Sequence, residues 1–562
     1  MTCLRISSTL VFASIILLGQ VAAFQTTSSF TSTYTNRFNS FSKRTAIASP
    51  VQLQSSTSLS AKEKSKTSEA TIPEEKYEVT SVQELEDYFN DKEHRFRKKN
   101  GDIDYDTLLA KLSVKGDTQK LGSTTDRDFV HPVLQLLHDR RRNNSPLTKT
   151  SEVRPDGRKV ALVVEGGGMR GCITAGMVTA LHYLGLEDTV DVIYGSSAGT
   201  IIGAYFNTRQ LPWFGPELYY DSLTTSGKQF IDSKRLLRTL GLGLLDPRLL
   251  KDVVTRPGHG KPVVNLDFLM KTTVQEKKPL DWEKFVEMQK VQPLKVVASG
   301  LKSEKSVTYE MSNGGFSSLE EFTAAAHGSC LLPGIAGPVM NHDANGGDEK
   351  FFVKNNVNRP GVEPLSDALI FEPLPYQTAI DEGATDVVVL RSRPDGVDVT
   401  GKTSIFEKLI FRRFFKRKNK LDHIYRYMRQ HQQKKIYAKL VLELNDATKA
   451  KGDKQMMAIA VPPGSKEVTR LEKRREEIFD GVRRGFARAY DALVEDPNER
   501  GRGAEVAKQV LPDEILDYDP LEINSGGMSA FEYYLKEKDA NGDGDDLPNI
   551  CGMTAAQAGL PR

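Results

Sequence analysis

Residues 160–171 have the sequence VALVVEGGGMRG, in which five apolar residues are followed closely by a run of glycines. A short apolar run of this kind predicts a strand that is buried on both faces, as in a parallel sheet. Comparable runs occur at residues 190–194, 294–298 and 387–390, and helical patterns lie between them. Strands that alternate with helices predict an α/β domain whose mainly parallel central sheet is covered by helices.

The composition excludes some classes of protein. Of the 562 residues, 39% are hydrophobic and 27% are charged, so the chain can bury a substantial core. Its net charge is only +3, and this balance argues against nucleic acid as the main partner. The cysteines, at positions 3, 172, 330 and 551, are too few and too scattered for a disulfide framework or a zinc site. We therefore expect no bound metal.

A second glycine-containing turn lies at residues 194–199, YGSSAG, between a predicted strand and a predicted helix. The pattern G-x-S-x-G in this context predicts a nucleophile elbow centred on Ser197. Such a turn exposes the serine hydroxyl near a helix N-terminus, whose dipole favours negative charge. The other residues of the elbow are Gly195, Ser196, Ala198 and Gly199. Ser197 is therefore the candidate nucleophile.

The glycine loop after the first strand predicts an oxyanion hole. Amides of consecutive glycines at a helix N-terminus can converge on an anion, and beside a serine nucleophile that anion is the oxyanion of the reaction. The loop comprises Gly166, Gly167, Gly168, Met169, Arg170 and Gly171. A dinucleotide-binding turn is the alternative, because the loop also fits G-x-G-x-x-G. That alternative is disfavoured, because Asp188 and Asp191 lie at the start of the next strand and not at its end.

The base that would activate Ser197 is harder to identify. The histidines that follow Ser197 are His259, His327, His342, His423 and His431. None has the chain order and the surroundings expected for a Ser-Asp-His triad. A carboxylate is therefore expected to act as the base directly.

Together these motifs resemble the patatin-like phospholipase family. The resemblance rests on the loop at 166–171, the elbow at 195–199 and the segment SDALIFEPLP at 366–375, and it continues through residues 379–390. It implies a three-layer α/β/α fold. The charged regions on either side of this fold are expected to form helical N- and C-terminal extensions.

The resemblance also implies a Ser–Asp dyad in place of a triad. By position, Ser197 is then the nucleophile and Asp367 the base, with the loop at 166–171 as oxyanion hole and with no cofactor. The family usually has Gly after the catalytic Asp, whereas Ala368 and Leu369 follow here. If that turn requires a positive φ, Ala368 would be strained by about 1–2 kcal/mol; otherwise a small residue fits at a negative φ.

Two other aspartates are rival bases, Asp343 and Asp348. The implied activity is that of a lipid acyl hydrolase, of phospholipase A or galactolipase type, which cleaves acyl esters of glycerolipids through an acyl-enzyme. A catalytically silent lipid-binding relative, motivated by Ala368 and Leu369, is one alternative. An acyltransferase that uses the same dyad is the other. The oligomeric state is not predicted.

The first 61 residues resemble a two-part targeting leader. Residues 1–23 combine Arg5, a short apolar run and an Ala-containing end, as in a signal peptide. Residues 24–61 are rich in Ser and Thr and contain no acidic residue, a composition typical of a transit peptide. Such a leader, with Phe24 after the signal peptide, resembles the plastid-targeting leaders of algae with complex plastids.

A plastid location is therefore expected. One alternative is a secreted protein in which residues 24–61 form a Ser/Thr-rich linker. Another is that the signal peptide stays as an uncleaved membrane anchor, but its apolar run is only about half the ~20 residues that a membrane-spanning helix requires. Removal of the leader, which carries four basic residues, would change the net charge from +3 to about −1.

The remaining chain divides into four regions by composition. Residues 62–157 are charged and predicted to be partly helical, and residues 158–395 carry the α/β pattern. Residues 396–500 are predicted to be charged and helical, and residues 501–562 are predicted to form a flexible tail.

Two segments of these last regions have a possible binding role. Residues 406–420 interleave aromatic and basic residues, which favours peripheral contact with an anionic membrane, although the aromatic residues could pack inward instead. Residues 539–546 match the first half of a calcium-binding EF-hand loop, but Ile550 stands at the twelfth position and Pro548 lies inside the loop. An acidic tail without calcium is therefore favoured.

Overall fold

The computed structural model describes residues 76–235, 262–313, 315–343, 352–354, 360–401, 403–450, 455–518 and 529–540. The predicted leader at residues 1–61 and most of the acidic segment, residues 541–546, lie outside these described residues.

Most strands belong to one mixed sheet. The strands in chain order are β1 Tyr77–Glu78, β2 Leu112–Ser113, β3 Val160–Val164, β4 Val192–Ser196, β5 Leu294–Gly300, β6 Lys305–Tyr309, β7 Met340–Asp343, β8 Phe352–Lys354, β9 Val362–Ser366, β10 Asp386–Leu390 and β11 Met456–Ile459. Nine of these described strands form a sheet in the order β11-β10-β3-β4-β5-β9-β7-β8, with β6 beside β5, while β1 pairs with β2. Within the large sheet, the five strands from β11 to β5 run parallel, and β6, β7, β8 and β9 pair antiparallel; β1 and β2 pair in parallel.

Helices connect and cover these strands. The α-helices are α1 Val82–Asn90, α2 Tyr105–Lys111, α3 Pro132–Arg142, α4 Gly171–Tyr183, α5 Ala198–Asn207, α6 Phe214–Glu217, α7 Trp282–Met288, α8 Leu319–Ser329, α9 Tyr376–Asp381, α10 Ile405–Phe411, α11 Asp422–Arg429, α12 Gln432–Thr448, α13 Arg475–Leu493, α14 Gly503–Val510 and α15 Ala530–Ala540. The π-helical segments are Leu218–Leu223, Phe268–Lys277 and Arg412–Lys418. Short 3₁₀ turns occur at Gly168–Arg170, Glu187–Thr189, Gly227–Gln229, Ser233–Arg235, Met311–Asn313, Ala368–Ile370, Pro497–Glu499 and Asp513–Asp517.

The sheet separates two hydrophobic cores. Side chains of a strand alternate between its faces, and in β3 Val160, Leu162 and Val164 pack in one core with α4 and α13. The intervening Ala161 and Val163 pack in the other core with α1, α2, α9 and α12. The expected three-layer α/β/α fold is therefore confirmed. The predicted parallel strands form its centre, and the antiparallel strands β6 to β9 make the sheet mixed.

The structure differs from the predicted regional boundaries. Strand β11 belongs to the region predicted to be helical, 396–500, yet it pairs with β10 in the central sheet, so the sheet extends past residue 395. Helices α14 and α15 lie in the region predicted to be a flexible tail. The start of α15 is fixed because the Phe531 amide donates a hydrogen bond to buried Glu217 at 2.6 Å.

No helix among the described residues has the length and apolar composition needed to cross a membrane.

Candidate active site

Ser197 occupies the sharp turn between β4 and α5. Its backbone has φ 53° and ψ −126°, a conformation that L-residues rarely adopt. The Ser197 amide donates to Ser329 Oγ at 2.8 Å, and Ser329 Oγ in turn donates to the Val297 carbonyl at 2.5 Å. This strained turn is therefore held by a buried hydroxyl at the end of α8.

Two glycines allow the backbone to pass close to the elbow. A Cβ atom on Gly166 would lie 2.6 Å from Ser197 Cβ and 2.4 Å from the Ser196 carbonyl oxygen. A Cβ atom on Gly199 would lie 2.0 Å from the carbonyl oxygen of Val164. Both positions therefore require glycine if the loop after β3 is to contact the nucleophile.

Replacement of Gly199 by Ala is expected to lower the free energy of unfolding by about 2–3 kcal/mol, because backbone atoms would have to move. Gly203→Ala in the same helix is the matched control, since its Cβ would meet only side-chain carbons, at 3.0 and 3.1 Å. We expect this control to cost less than about 1 kcal/mol. Denaturant titration measures both changes, and equal losses in the two variants would contradict the steric argument.

Asp367 lies opposite Ser197 as a consequence of strand register. Ser196 pairs with Val297 across β4 and β5, and Ser299 pairs with Ser366 across β5 and β9. Because β9 runs antiparallel to β5, the residue after Ser366 returns toward the end of β4. The Ser197 hydroxyl donates to Asp367 Oδ2 at 2.8 Å.

The backbone and carboxylate of Asp367 are both held in place. Its amide donates to the Leu331 carbonyl at 3.1 Å, and Ser299 Oγ donates to its carbonyl at 2.9 Å. The second carboxylate oxygen, Oδ1, accepts from the Leu369 amide at 2.9 Å. These contacts leave Oδ2 directed at Ser197.

Burial raises the pKa of Asp367 above its ordinary value. Hydrogen bonds from the Leu369 amide and the Ser197 hydroxyl, together with the positive charge of Arg470, act in the opposite direction. The net upward shift of the pKa makes the carboxylate a stronger base than a solvated aspartate.

The departure from the family sequence does not strain the turn. Ala368 is not among the residues with a positive φ, and it begins the 3₁₀ turn Ala368–Ile370 for which Asp367 is the N-cap. A small residue at a negative φ therefore fits, and Ala368 does not displace the carboxylate.

In the described part of the chain, no histidine hydrogen-bonds to Ser197 or Asp367. Burial lowers the pKa of His327 to about 4, and His423 contacts the Leu301 carbonyl. His342 packs against the rings of Tyr309 and Phe352 in tilted orientations, and His431 contacts Asp106 and Thr403. The rival base Asp343 ends β7, whereas His259 and Asp348 lie outside the described residues.

The acidic residues of the dinucleotide alternative are engaged elsewhere. Asp191 pairs with Arg140 and Arg154, and Asp188 pairs with Arg209 at 2.5 Å. Neither of these two carboxylates is therefore free to bind a ribose beside the glycine loop.

Several amides of the glycine loop are used within the protein. The Met169 amide donates to the Arg470 carbonyl at 3.1 Å, the Arg170 amide to Gly167, and the Gly171 amide to Gly168. The Gly166 amide makes a long contact of 3.4 Å with Ser196 Oγ. Among the described residues, the amides of Gly167 and Gly168 have no acceptor. The predicted oxyanion loop thus offers two amides and not six.

Two cavities meet at Ser197. The larger one, of about 510 Å³, is lined by the dyad, the glycine loop and residues of the C-terminal region. The smaller one, of about 50 Å³, is an apolar slot beside Ser197, lined in part by Ile201, Leu266 and Cys330. Burial raises the pKa of the Cys330 thiol, so that it stays protonated next to the nucleophile.

A rim segment, residues 405–420, borders the larger cavity. Ile410 and Phe411 line the cavity wall. Phe414 and Phe415 are buried, so the inward packing considered for these aromatic residues is correct for both. The exposed apolar residues of the segment are instead Ile405 and Leu409.

The sequence motifs did not identify three residues next to the dyad. Ser329 holds the elbow, Cys330 lines the slot and Arg470 contacts the glycine loop. None belongs to a local pattern, because each reaches the site only through the packing of distant segments.

One family model matches the central part of the chain. Residues 162–380 match the family model for patatin-like phospholipase, and this segment contains both Ser197 and Asp367. No curated protein matches the chain in sequence.

Solved structures also resemble the chain. VipD from Legionella pneumophila shares 13% identity over 71% of this chain and 83% of its own, with a TM-score of 0.27. Human GIVD cytosolic phospholipase A2, solved with methyl gamma-linolenyl fluorophosphonate, shares 13% identity over 67% of this chain and 62% of its own, with a TM-score of 0.30. By the match of the family model, residues 162–380 of this chain are similar to patatin-like phospholipases.

Proposed function

We propose that this protein is a lipid acyl hydrolase that cleaves acyl esters of glycerolipids with Ser197 as nucleophile and Asp367 as base. The observation that carries the proposal is the 2.8 Å hydrogen bond from Ser197 Oγ to the buried carboxylate of Asp367. The match to patatin-like phospholipases independently supports lipid ester hydrolysis.

The chemistry follows from the positions of these groups. Asp367 accepts the Ser197 proton while Oγ attacks the ester carbonyl carbon, and the amides of Gly167 and Gly168 stabilise the oxyanion. The leaving alkoxide takes the proton from Asp367, which leaves an acyl-enzyme. Water then gives a proton to Asp367 and attacks the acyl-enzyme. As the bond between the acyl carbon and Ser197 Oγ breaks, Oγ takes this proton from Asp367, so that the fatty acid departs and both side chains are restored.

The two cavities suit the two halves of a glycerolipid. The slot beside Ser197 has apolar walls that would take the start of an acyl chain. The cavity of about 510 Å³ lies within the usual range for ligand pockets and would take the headgroup and the glycerol backbone.

Product analysis with purified protein tests this function. Incubation with diacyl glycerolipids is expected to release free fatty acid, and a fluorophosphonate probe is expected to label Ser197, as identified by peptide mapping. Addition of a lysolipid acceptor tells hydrolysis from acyl transfer, because a transferase would yield new diacyl lipid. Absence of both fatty acid and label would contradict the proposal.

We also propose that the rim segment contacts an anionic membrane. Ile405 is 72% exposed and Leu409 is 48% exposed, one helical turn apart on α10. Basic residues that are exposed on the same segment follow them: Arg412, Arg413, Lys416, Arg417, Lys418 and Lys420. Apolar residues next to cations match an anionic lipid interface, and the segment borders the cavity that contains Ser197.

The double variant Ile405→Glu, Leu409→Glu is expected to lower partitioning onto vesicles that contain phosphatidylglycerol by about tenfold or more. Vesicle flotation measures the bound fraction without requiring activity. Val153→Glu is the matched control, because Val153 is 70% exposed but lies away from the cavity. If both variants bind as well as the wild type, the rim segment is not the contact surface.

Finally, we propose that the protein is delivered to a plastid by its first 61 residues, on the basis of their composition. A fusion of this leader to a fluorescent protein tests the location. Secretion of the fusion would contradict the proposal.

A further inference from the structure

We propose that Arg393, Lys434 and Arg470 form a headgroup subsite in the larger cavity, which binds the phosphate of a glycerophospholipid whose headgroup is anionic and carries hydroxyls. This inference rests on the proposed hydrolysis at Ser197 and names the substrate class of that site. The three cations all lie outside the segment that matches the family, residues 162–380.

Two of these cations, Lys434 and Arg470, form no ion pair with a carboxylate among the described residues. The Arg470 side chain makes no hydrogen bond and no ion pair with the described residues, although its carbonyl accepts from Met169. The Lys434 ammonium group donates only to the Gly401 carbonyl, at 2.6 Å, within the described structure. Burial lowers the pKa of Lys434, and the charges of Arg393 and Arg470 act in the same direction, whereas those of Glu407 and Asp398 act to raise it. Both arginines therefore lie close enough to Lys434 to repel its charge.

Arg393 is the third cation, and its acidic neighbour is shared. Arg393 Nε lies 3.7 Å from Glu467, whereas Arg170 forms a much closer ion pair with the same carboxylate. A single carboxylate therefore faces two guanidinium groups at this wall of the cavity.

The acidic residues that line the cavity are occupied by other donors. Glu165 accepts from the Tyr437 hydroxyl and the Ser392 amide. Asp398 pairs with Lys76, and Glu407 caps the start of α10. None of these carboxylates hydrogen-bonds to Arg470 or Lys434 in the described chain.

Buried polar atoms without a partner point to the same wall. Ser392 Oγ, Arg393 Nε and Gln433 Oε1 belong to residues that line this cavity, but the three atoms are buried and have no hydrogen-bond partner among the described residues. Buried polar groups are nearly always hydrogen-bonded in folded proteins, and a small movement of these side chains toward the cavity would let a polar ligand supply the missing partners.

The chemistry of these groups defines the ligand. Two guanidinium groups and an ammonium suit a phosphate diester. The Gln433 carbonyl oxygen accepts from a hydroxyl, and the Ser392 hydroxyl donates to one or to the phosphate. A glycerol phosphate headgroup meets both requirements. A choline headgroup has no hydroxyl to donate, and an uncharged sugar has no phosphate.

Hydrolysis rates in detergent micelles test the subsite, with phosphatidylglycerol, phosphatidylcholine and monogalactosyldiacylglycerol of identical acyl chains as substrates. We expect the wild-type kcat/KM for phosphatidylglycerol to exceed that for each of the other two lipids about tenfold. Lys434→Gln and Arg470→Gln should each reduce this preference about tenfold. Arg470→Lys, which keeps the positive charge, should retain most of the preference. Lys439→Gln on the same helix is the control with unchanged preference, because its side chain is 46% exposed and outside the cavity.

Equal wild-type rates on the three lipids would overturn the proposal, as would a loss in Lys434→Gln that is the same for all three. Calorimetric binding of short-chain versions of these lipids to Ser197→Ala tests the subsite separately from hydrolysis. Preferred binding of the phosphatidylglycerol form supports the subsite even if the proposed hydrolysis fails. If inorganic phosphate alone binds as tightly as that lipid, the cluster is a simple anion site and the headgroup proposal is wrong.

Discussion

Ser197→Ala is expected to abolish ester hydrolysis, with kcat at least about 10⁴-fold below that of the wild type. The hydroxyl is the only part of the side chain that the mechanism uses, and its loss removes the acyl-enzyme route entirely. Fatty acid release from a glycerolipid substrate and fluorophosphonate labelling are the two measurements. Both are expected to fall to background.

The same variant should remain folded. Alanine keeps the Cβ atom, and the backbone amide still donates to Ser329 Oγ, so the strained turn retains its anchor. Because Asp367 Oδ2 loses its hydrogen-bond donor, the free energy of unfolding is expected to fall by no more than about 1–3 kcal/mol. Ser151→Ala, at an exposed serine outside the cavity, is the control for both activity and labelling. Activity that persists in Ser197→Ala would assign the nucleophile to another residue.

The local part of this site could be predicted from sequence, because each motif is contiguous. The elbow around Ser197 and the glycine loop are short strand-to-helix turns, so glycine spacing and the adjacent apolar strands identify them. Asp367 is different, because it is 170 residues from Ser197 along the chain and reaches it through an antiparallel strand. Only the resemblance to a family connected the two residues.

The C-terminal contribution to the site could not be predicted. Strand β11 is short and follows a segment with a charged helical pattern, so the composition of this region predicted helix. In the structure, β11 is instead the edge strand of the parallel part of the sheet. The position of Arg470 against the glycine loop depends on how α13 packs on α4. Such packing is a property of the assembled cores and leaves no periodic signal in the sequence.

Asp367→Asn is expected to lower kcat by about 10³-fold or more, within the range reported for loss of a general base or of its orientation. Asparagine has the same shape, and its Oδ1 can still accept from the Leu369 amide. Its nitrogen then faces Ser197 Oγ and donates a hydrogen bond where the carboxylate accepted one. The hydroxyl proton therefore has no acceptor. Asp343→Asn and Asp348→Asn are the matched controls, and a comparable loss in either would favour that rival base.

The dependence of kcat/KM on pH is a second measurement that tests Asp367 as the base. The carboxylate must be ionised to accept the Ser197 proton. Wild-type kcat/KM therefore has its full value above the pKa of Asp367 and falls as the pH drops through that pKa. Because burial raises that pKa, the fall is expected to begin at a higher pH than for a solvated aspartate. Removal of the Arg470 charge should move this limb further upward, since Arg470 lowers the pKa of Asp367. The residual activity of Asp367→Asn should lack the limb, because the titrating group is gone; an unchanged limb would mean that another group is the base.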